Sequence, residues 1–138
     1  MGGSITGLIT VIMAKYVDGF LIPLKKKNLE EYKKMAKIGA KLWKKYGALD
    51  YKECVGDDLF PKGMPGMKPA QFPKLAKAKS DETVVFSYIV FKSRKHRDEV
   101  NAKVMKDPIM NDPKNKDMSM PFEMKRMAYG GFEVIVEA

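Results

Sequence analysis

Four short stretches of the chain have patterns typical of β-strands, either an alternation of apolar and polar positions or a short continuous apolar run. The stretches cover residues 15–23, 48–56, 83–91 and 125–136. The third, TVVFSYIVF, is apolar on both faces apart from Ser87, which indicates that both of its faces are covered. The pair Gly130-Gly131 in the last stretch predicts a bulge or a close approach of another group to the backbone.

One long stretch has the period of an α-helix instead. Between residues 28 and 46, apolar side chains recur every three or four positions, and lysines fill the opposite face. Asn28 and Glu31 predict a capping box at the start, and Gly47 predicts the end. Gly39 inside the apolar stripe predicts that a sheet approaches the helix closely, because glycine costs about 1 kcal/mol in a helix relative to alanine.

A second helix is predicted over residues 94–106, with Ser93 as its N-cap and Asp107-Pro108 as its end. Residues 108–122 are predicted to be irregular. The order of elements is therefore β-α-β-β-α-β, which indicates an α+β fold of the ferredoxin-like kind with a four-stranded antiparallel sheet. We expect residues 14–138 to form a single domain, since 138 residues leave little room for two.

Two helices can cover only one face of such a sheet, yet the predicted strands carry large apolar side chains on both faces. This predicts a homodimer in which two sheets pack face to face. Glu53, Ser87 and Glu133 would then line the space between the two sheets. The alternative is that the loop at residues 59–80 and the N-terminal tail cover the second face within one chain.

Charge is concentrated in that loop. The chain holds 26 basic and 17 acidic residues, and residues 59–80 contain five lysines together with four prolines and two glycines. A basic loop with phenylalanines could bind nucleic acid. The alternative is that the loop is a solvated flap over the domain and binds no partner. Arginine occurs only at positions 94, 97 and 126, and base readers depend on arginine, so nucleic acid is disfavoured as a partner.

Composition also limits the chemistry. A single cysteine excludes an internal disulfide, and one cysteine with one histidine cannot supply four zinc ligands. Zinc is therefore disfavoured, although carboxylates could bind a harder ion. We name no metal ligands and expect no tightly bound cofactor.

The first thirteen residues are expected to be a non-native or over-extended tail, with Met13 as the natural start. Their apolar run is too short to cross a bilayer. A secretory signal would require a basic residue before the apolar run, but the first basic residue is Lys15. A signal peptide or an ordinary flexible tail are the alternatives. We expect a cytoplasmic protein that does not bind membranes.

Four segments together resemble one bacterial family. They are YVDGFLIP, ALDYKECVGDD, ETVVFSYIVFKSRKHRDEVNAKVM and MPFEMKRMAYGGFEVIV, and they are similar to the YbaA-like proteins, a family of unknown function in the dimeric alpha-beta barrel superfamily. The resemblance spans about residues 13–138. It implies a ferredoxin-like fold and a homodimer of facing sheets, but it supplies no catalytic residues.

The densest polar cluster is SRKHRDEVNAK, at the start of the second predicted helix. Arg94, Arg97 and Asn101 are candidate ligand-binding residues, because a helix start with two arginines favours an anion. His96 is a candidate catalytic base, since the same positive environment keeps an imidazole neutral. The alternative is an exposed first turn in which Asp98 and Glu99 pair with the arginines.

Asp58 is the second candidate catalytic residue. It follows the second strand beside Asp57, where carboxylates can transfer protons or bind Mg²⁺. Arg126 and Tyr129 are predicted to reach the same rim as ligand-binding residues. The alternative is a turn, or a salt bridge from this pair to Arg126.

These observations favour a homodimer with an apolar cavity in each subunit that binds or transforms a small anionic molecule. A non-catalytic interaction or regulatory module, whose main property is dimerisation, is the alternative.

Overall fold

The sheet is built on two ten-residue strands in the computed structural model, which describes residues 14–63, 65–116 and 120–138. β1 (Tyr16–Lys25) and β3 (Glu82–Phe91) pair antiparallel along their full length. β2 (Asp50–Val55) pairs with the outer edge of β3, and β4 (Ala128–Glu133) pairs with the outer edge of β1. The order across the sheet is β2-β3-β1-β4, and every neighbouring pair is antiparallel.

Two long helices and two single-turn helices complete the described elements. They are α1 (Leu29–Lys45), α2 (Phe72–Leu75), α3 (Arg94–Lys106) and α4 (Pro113–Lys116), with 3₁₀ turns at Lys26–Asn28 and Met124–Arg126. The predicted α+β class and the four-stranded antiparallel sheet are confirmed. The two single-turn helices fall in segments predicted to be irregular.

The helix boundaries follow the predicted signals, with one exception. Ser93 caps α3 by accepting a hydrogen bond from the His96 N–H at 3.0 Å. Gly47 follows α1 with φ of +112°, a conformation that glycine adopts without strain. The capping box predicted at Asn28 is wrong, because this side chain makes no cap bond and instead donates to the Pro121 carbonyl at 3.0 Å.

The last strand is shorter than predicted, since it ends at Glu133, opposite Tyr16 at the start of β1. After Glu133 the Val134 N–H donates to the Lys15 carbonyl at 2.9 Å, the Glu137 carboxylate pairs with the Lys15 side chain, and Ile135 is 88% exposed. The glycine pair makes no bulge. Instead, Gly131 lies so close to the Tyr16 ring that a Cβ atom there would clash with it.

The core lies between the sheet and the two long helices, which pack on the same face. Its buried side chains form two clusters: Leu42, Ala48, Ile89, Phe91, Val100 and Val104 in one, and Ile22, Leu24, Tyr32, Ala36 and Val85 in the other. Burial of apolar area of this kind is the dominant favourable contribution to folding.

Three polar residues lie on the opposite face from the one predicted. The register places Glu53 opposite Ser87, and Ser87 opposite Phe20, so their side chains point towards the helices. Glu133 pairs with Tyr16 and shares that orientation. The prediction that these groups line a space between two sheets is therefore wrong, because strand alternation could not show which set faced the helices.

Among the described residues, the second face of the sheet is covered at one end. α2 places Phe72 against Phe86, with ring centroids 6.4 Å apart, and Val84 on this face is buried. Further along the same face, Phe132 is 63% exposed and Phe86 remains 46% exposed. The loop thus covers part of this face within one chain, and among the described residues Phe132 stays exposed on the part beyond it.

A salt bridge holds the basic loop beside the sheet. The Arg126 guanidinium donates to both carboxylate oxygens of Glu82, at 2.7 and 2.8 Å, and to the Lys77 carbonyl at 3.0 Å. The Lys79 N–H donates to the same carboxylate at 2.7 Å. Arg126 foremost, together with the Lys79 N–H, lowers the pKa of Glu82 to about 2.

This arrangement predicts acid sensitivity. Because the pKa of Glu82 is lower in the folded chain than its ordinary 4.5, its stabilisation is present above pH 4.5 and lost as pH falls towards 2. Arg126→Met should lower the thermal unfolding midpoint at pH 7 by roughly 5 °C, and this difference should shrink in acid. Thermal melts from pH 7 to pH 2, followed by circular dichroism, measure both effects.

Lys125→Met is the matched control, because Lys125 is exposed and forms no ion pair within the described residues. Equal effects of the two substitutions, or a difference independent of pH, would contradict the assigned role of the salt bridge.

Candidate functional site

A buried carboxylate lies in the middle of β1. Asp18 is 1% exposed and occupies an inward position between Tyr16 and Phe20. Its Oδ1 atom has no hydrogen-bond partner within the described part of the chain. Burial raises the pKa of Asp18, and the attraction of Arg97 opposes this without cancelling it.

Arg97 reaches this carboxylate from the first turn of α3. Its Nε atom lies 3.8 Å from Asp18 Oδ1 and 3.3 Å from Asp98 Oδ1. The guanidinium donates to the Tyr129 hydroxyl at 3.1 Å and to the Tyr16 hydroxyl at 3.3 Å. Its central carbon lies 5.0 Å from the centre of the Tyr16 ring, a cation–π distance. The arginine is thereby fixed in one orientation.

Asn101 and Tyr129 complete the cluster around Asp18. Both contribute hydrogen bonds that favour its charged form. Asn101 Oδ1 accepts a hydrogen bond from the Trp43 indole N–H at 3.0 Å, and the Tyr129 ring stacks on Phe20 with centroids 4.9 Å apart. Three of the predicted ligand-binding residues, Arg97, Asn101 and Tyr129, are therefore brought together. We call these three residues with Asp18 and Tyr16 the Asp18 cluster.

Arg94 lies beside this cluster on a surface depression of about 440 Å³, which Ala14, Tyr16, Gly131 and Glu133 also line. The Arg94 side chain is exposed and forms no ion pair within the described residues. Tyr16 connects the two features, since it lines the depression and its hydroxyl accepts from Arg97. A ligand in the depression would contact Arg94 and lie next to the Asp18 cluster.

His96 packs away from that cluster. Its Nδ1 atom accepts from the Lys92 N–H at 3.0 Å, its ring contacts Phe91, and Gly47 lies beside its Nε2 atom. Burial, followed by the charge of Lys92, lowers the pKa of His96, in agreement with the predicted neutral imidazole. In the structure, this imidazole holds the strand-to-helix turn.

Asp58 and Arg126 also lie apart from the cluster. Asp58 is exposed after β2, at the end of the sheet where Val55 pairs with Val85, whereas His96 follows the opposite end of β3. Arg126 binds Glu82 rather than Asp57 or Asp58, so the predicted alternative of a salt bridge to that pair is wrong. The two candidate catalytic residues are not brought together.

A pocket of about 250 Å³ lies at the other edge of the sheet, between α1 and β2. Its walls are mainly apolar, and Glu53 lies in it with two tyrosine hydroxyls. Tyr32 donates to Glu53 Oε2 at 2.6 Å, and Tyr51 donates to Oε1 at 2.8 Å. None of the predicted site residues lines this pocket.

Comparison with known proteins decides the family. The model of a family described as a protein of unknown function, DUF1428, matches residues 15–124. The chain belongs to the DUF1428 family. It is 42% identical over 123 residues to the "Uncharacterized protein YbaA" of Escherichia coli K12, covering 89% of this chain and 98% of that protein. The proteins of that name from Escherichia coli O157:H7 and Shigella flexneri match to the same extent.

The resemblance to YbaA-like proteins is therefore confirmed. No helix among the described residues of this DUF1428 chain is long and apolar enough to cross a membrane. In the same residues, no group of three or more histidine, cysteine, aspartate or glutamate side chains is arranged to hold a metal ion.

The sequence reasoning missed Asp18 as a functional candidate. The available signal was an acidic residue at an inward position of an otherwise apolar strand, where a carboxylate costs free energy unless it is paired. Tyr16 was missed for another reason. Its position two residues earlier gave no indication that its hydroxyl would bind Arg97.

Asp18→Asn in this DUF1428 protein tests the balance of forces on the carboxyl group. Because burial raises the pKa of Asp18, its ionised form disfavours the folded state at neutral pH, and this penalty fades as pH falls through the raised pKa. The variant should therefore unfold at higher denaturant concentration than the wild type at pH 7. The two should converge in acid, as urea titrations can show. Lower stability of the variant at pH 7 would mean that attraction to Arg97 outweighs burial.

Proposed function

We propose that this DUF1428 protein is a cytoplasmic homodimer that binds a small anionic molecule without a tightly bound cofactor. In this proposal the chain has ferredoxin-like connectivity, and two sheets face each other as in a dimeric alpha-beta barrel. The strand order β2-β3-β1-β4 supports the connectivity, and the uncovered part of the second face supports the pairing.

The observation that supports the ligand proposal is that Arg94 lines the depression beside the Asp18 cluster and has no ion-pair partner among the described residues. Arg94 is the first residue of α3, where the positive end of the helix dipole also favours an anion. Tyr16 offers an aromatic wall. Glu133 lines the same depression and opposes an anion, so the bound group must lie nearer to Arg94.

Any proton transfer to such a ligand would involve Asp18 rather than His96 and Asp58 acting together. A buried carboxyl group with a raised pKa can exchange a proton closer to neutral pH than an ordinary aspartate. His96 and Asp58 lie near opposite ends of β3, so one small molecule cannot contact both.

Arg94→Gln tests the binding site. This substitution removes a charge-assisted hydrogen bond, so it should weaken the binding of inorganic phosphate roughly tenfold at low salt. Glu133→Gln should strengthen it. Isothermal titration calorimetry with inorganic phosphate measures both changes. Lys95→Gln is the matched control, since Lys95 is an exposed cation one position further along α3. Equal losses at positions 94 and 95 would show general attraction and contradict a site.

The dimer proposal depends on Phe132. This side chain lies over Gly19 and Gly130 on the uncovered face, close enough that a Cβ atom at Gly19 would approach its ring at 3.4 Å. Val17 and Leu21 point to the same side of the sheet and are half-buried. Together with Phe86 and Tyr88, they form an apolar surface that a second copy can cover.

Phe132→Asp should break that contact. The thermal midpoint of a dimer rises with protein concentration, so the wild type should melt higher at about 100 µM than at about 1 µM. Phe132→Asp should lose this dependence. Phe60→Asp is the control, because Phe60 is also 63% exposed but lies in the loop after β2. Retention of the dependence by Phe132→Asp would contradict pairing through this face.

The second candidate function, a non-catalytic interaction or regulatory module, is favoured by the same uncovered face. Unlike the ligand-binding proposal, it predicts that Arg94 binds no small anion. A concentration-dependent midpoint, combined with no measurable binding of small anions, would favour the module over the ligand-binding protein.

A further inference from the structure

The pocket between α1 and β2 differs from the Arg94 depression in position and chemistry. It lies at the β2 edge of the sheet, whereas the depression lies at the β4 edge. Its walls include Leu29, Ala36, Ala40, Val55 and Val85, which are all apolar. A volume of about 250 Å³ is just below the usual range for drug-sized ligands, so it fits a fragment-sized molecule.

The polar end of this pocket accepts hydrogen bonds. Each carboxylate oxygen of Glu53 accepts one hydrogen bond, from the hydroxyl of Tyr32 or of Tyr51. Burial foremost, and then Glu53 itself, raises the pKa of Tyr32 and of Tyr51, so both hydroxyls stay protonated and remain donors to the carboxylate. Each carboxylate oxygen has a further acceptor position, which suits a donor from a ligand.

Packing alone does not require this carboxylate. Glu53 lies on the helix-covered face of β2, directly opposite the buried Ser87. An apolar side chain there would avoid the cost of desolvating a charge. Gly39 in α1 leaves room for the arrangement, because a Cβ atom at that position would approach the Tyr51 hydroxyl at 3.1 Å. This contact also agrees with the close approach of a sheet predicted at Gly39.

The mouth of the pocket carries the opposite charge. Lys33 and Lys37 line it from successive turns of α1. Lys33 pairs with Glu30 at 3.3 Å, whereas Lys37 forms no ion pair within the described residues. The pocket therefore offers an acceptor inside, apolar walls, and a cation at the mouth.

We propose that this pocket binds a small organic molecule with an apolar body, a hydroxyl group donating to Glu53, and a carboxylate at its outer end near Lys37. Aromatic or aliphatic hydroxy acids have this chemistry. The site is independent of the Arg94 depression, so it stands or fails separately from the function proposed above.

Protein-detected NMR with three related probes tests this assignment. Toluene has only the apolar body, p-cresol adds the inner hydroxyl, and 4-hydroxyphenylacetate adds the outer carboxylate. We expect backbone signals of Ala36, Ala40 and Val55 to shift, with affinity rising from toluene to p-cresol to 4-hydroxyphenylacetate at low salt. A charge-assisted hydrogen bond predicts roughly tenfold tighter binding of p-cresol than of toluene.

Three variants separate the contributions. Glu53→Gln should weaken p-cresol severalfold and leave toluene unchanged, and Lys37→Gln should remove the advantage of 4-hydroxyphenylacetate over p-cresol. Ala40→Leu should fill the pocket and abolish binding of all three probes while keeping both tyrosine contacts to Glu53. Ala102→Leu is its control, because Ala102 is an exposed position on α3.

Several outcomes would overturn the proposal. These are equal affinity for toluene and p-cresol, signal shifts centred elsewhere, or unchanged binding by Ala40→Leu. Shifts of the pocket signals with protein concentration that persist in Phe132→Asp would likewise overturn it, because they would mean that a second copy of the chain fills the pocket.

Discussion

The sheet of this protein carries apolar side chains on both faces, but its two long helices cover only one of them. The covered face holds the buried core between the sheet and α1 and α3. On the other face α2 covers one end, and Phe132 and Phe86 remain exposed. Large exposed apolar surfaces on soluble chains usually mark an interface, so this imbalance is the physical basis of the proposed dimer.

The covered face also carries the two carboxylates on which the candidate sites are built. Asp18 and Glu53 both lie on it, although a carboxylate is costly to bury. Each has neighbours that reduce this cost: Arg97 for Asp18, and two tyrosine hydroxyls for Glu53. The two carboxylates lie on strands separated by β3. The fold therefore presents two separate candidate sites, one centred on β2 and the other on β1.

Most of the fold could be predicted from periodicity, because strand and helix periods are strong along these segments. Strand ends were less predictable, since β4 stops at Glu133, opposite Tyr16 at the start of β1, whereas the apolar pattern continues to residue 136. The face of each strand was also unpredictable. The alternation that contains Glu53 and Ser87 was predicted correctly on each strand. Alternation alone cannot show which of the two sets of side chains on a strand faces the helices.

The candidate site was predictable in part. Arg97, Asn101 and Tyr129 converge as ligand-binding candidates, whereas their focus, Asp18, was overlooked inside an apolar strand. The partner of Arg126 could not be predicted, because Glu82 lies 44 residues earlier in the chain and meets it only through the fold.

Sedimentation equilibrium of the unmodified protein at micromolar concentration tests the central claim most directly. The account predicts a particle with twice the 15.6 kDa mass of one chain. A single species of 15.6 kDa that stays monodisperse would show that one chain tolerates its uncovered face, and would contradict the account.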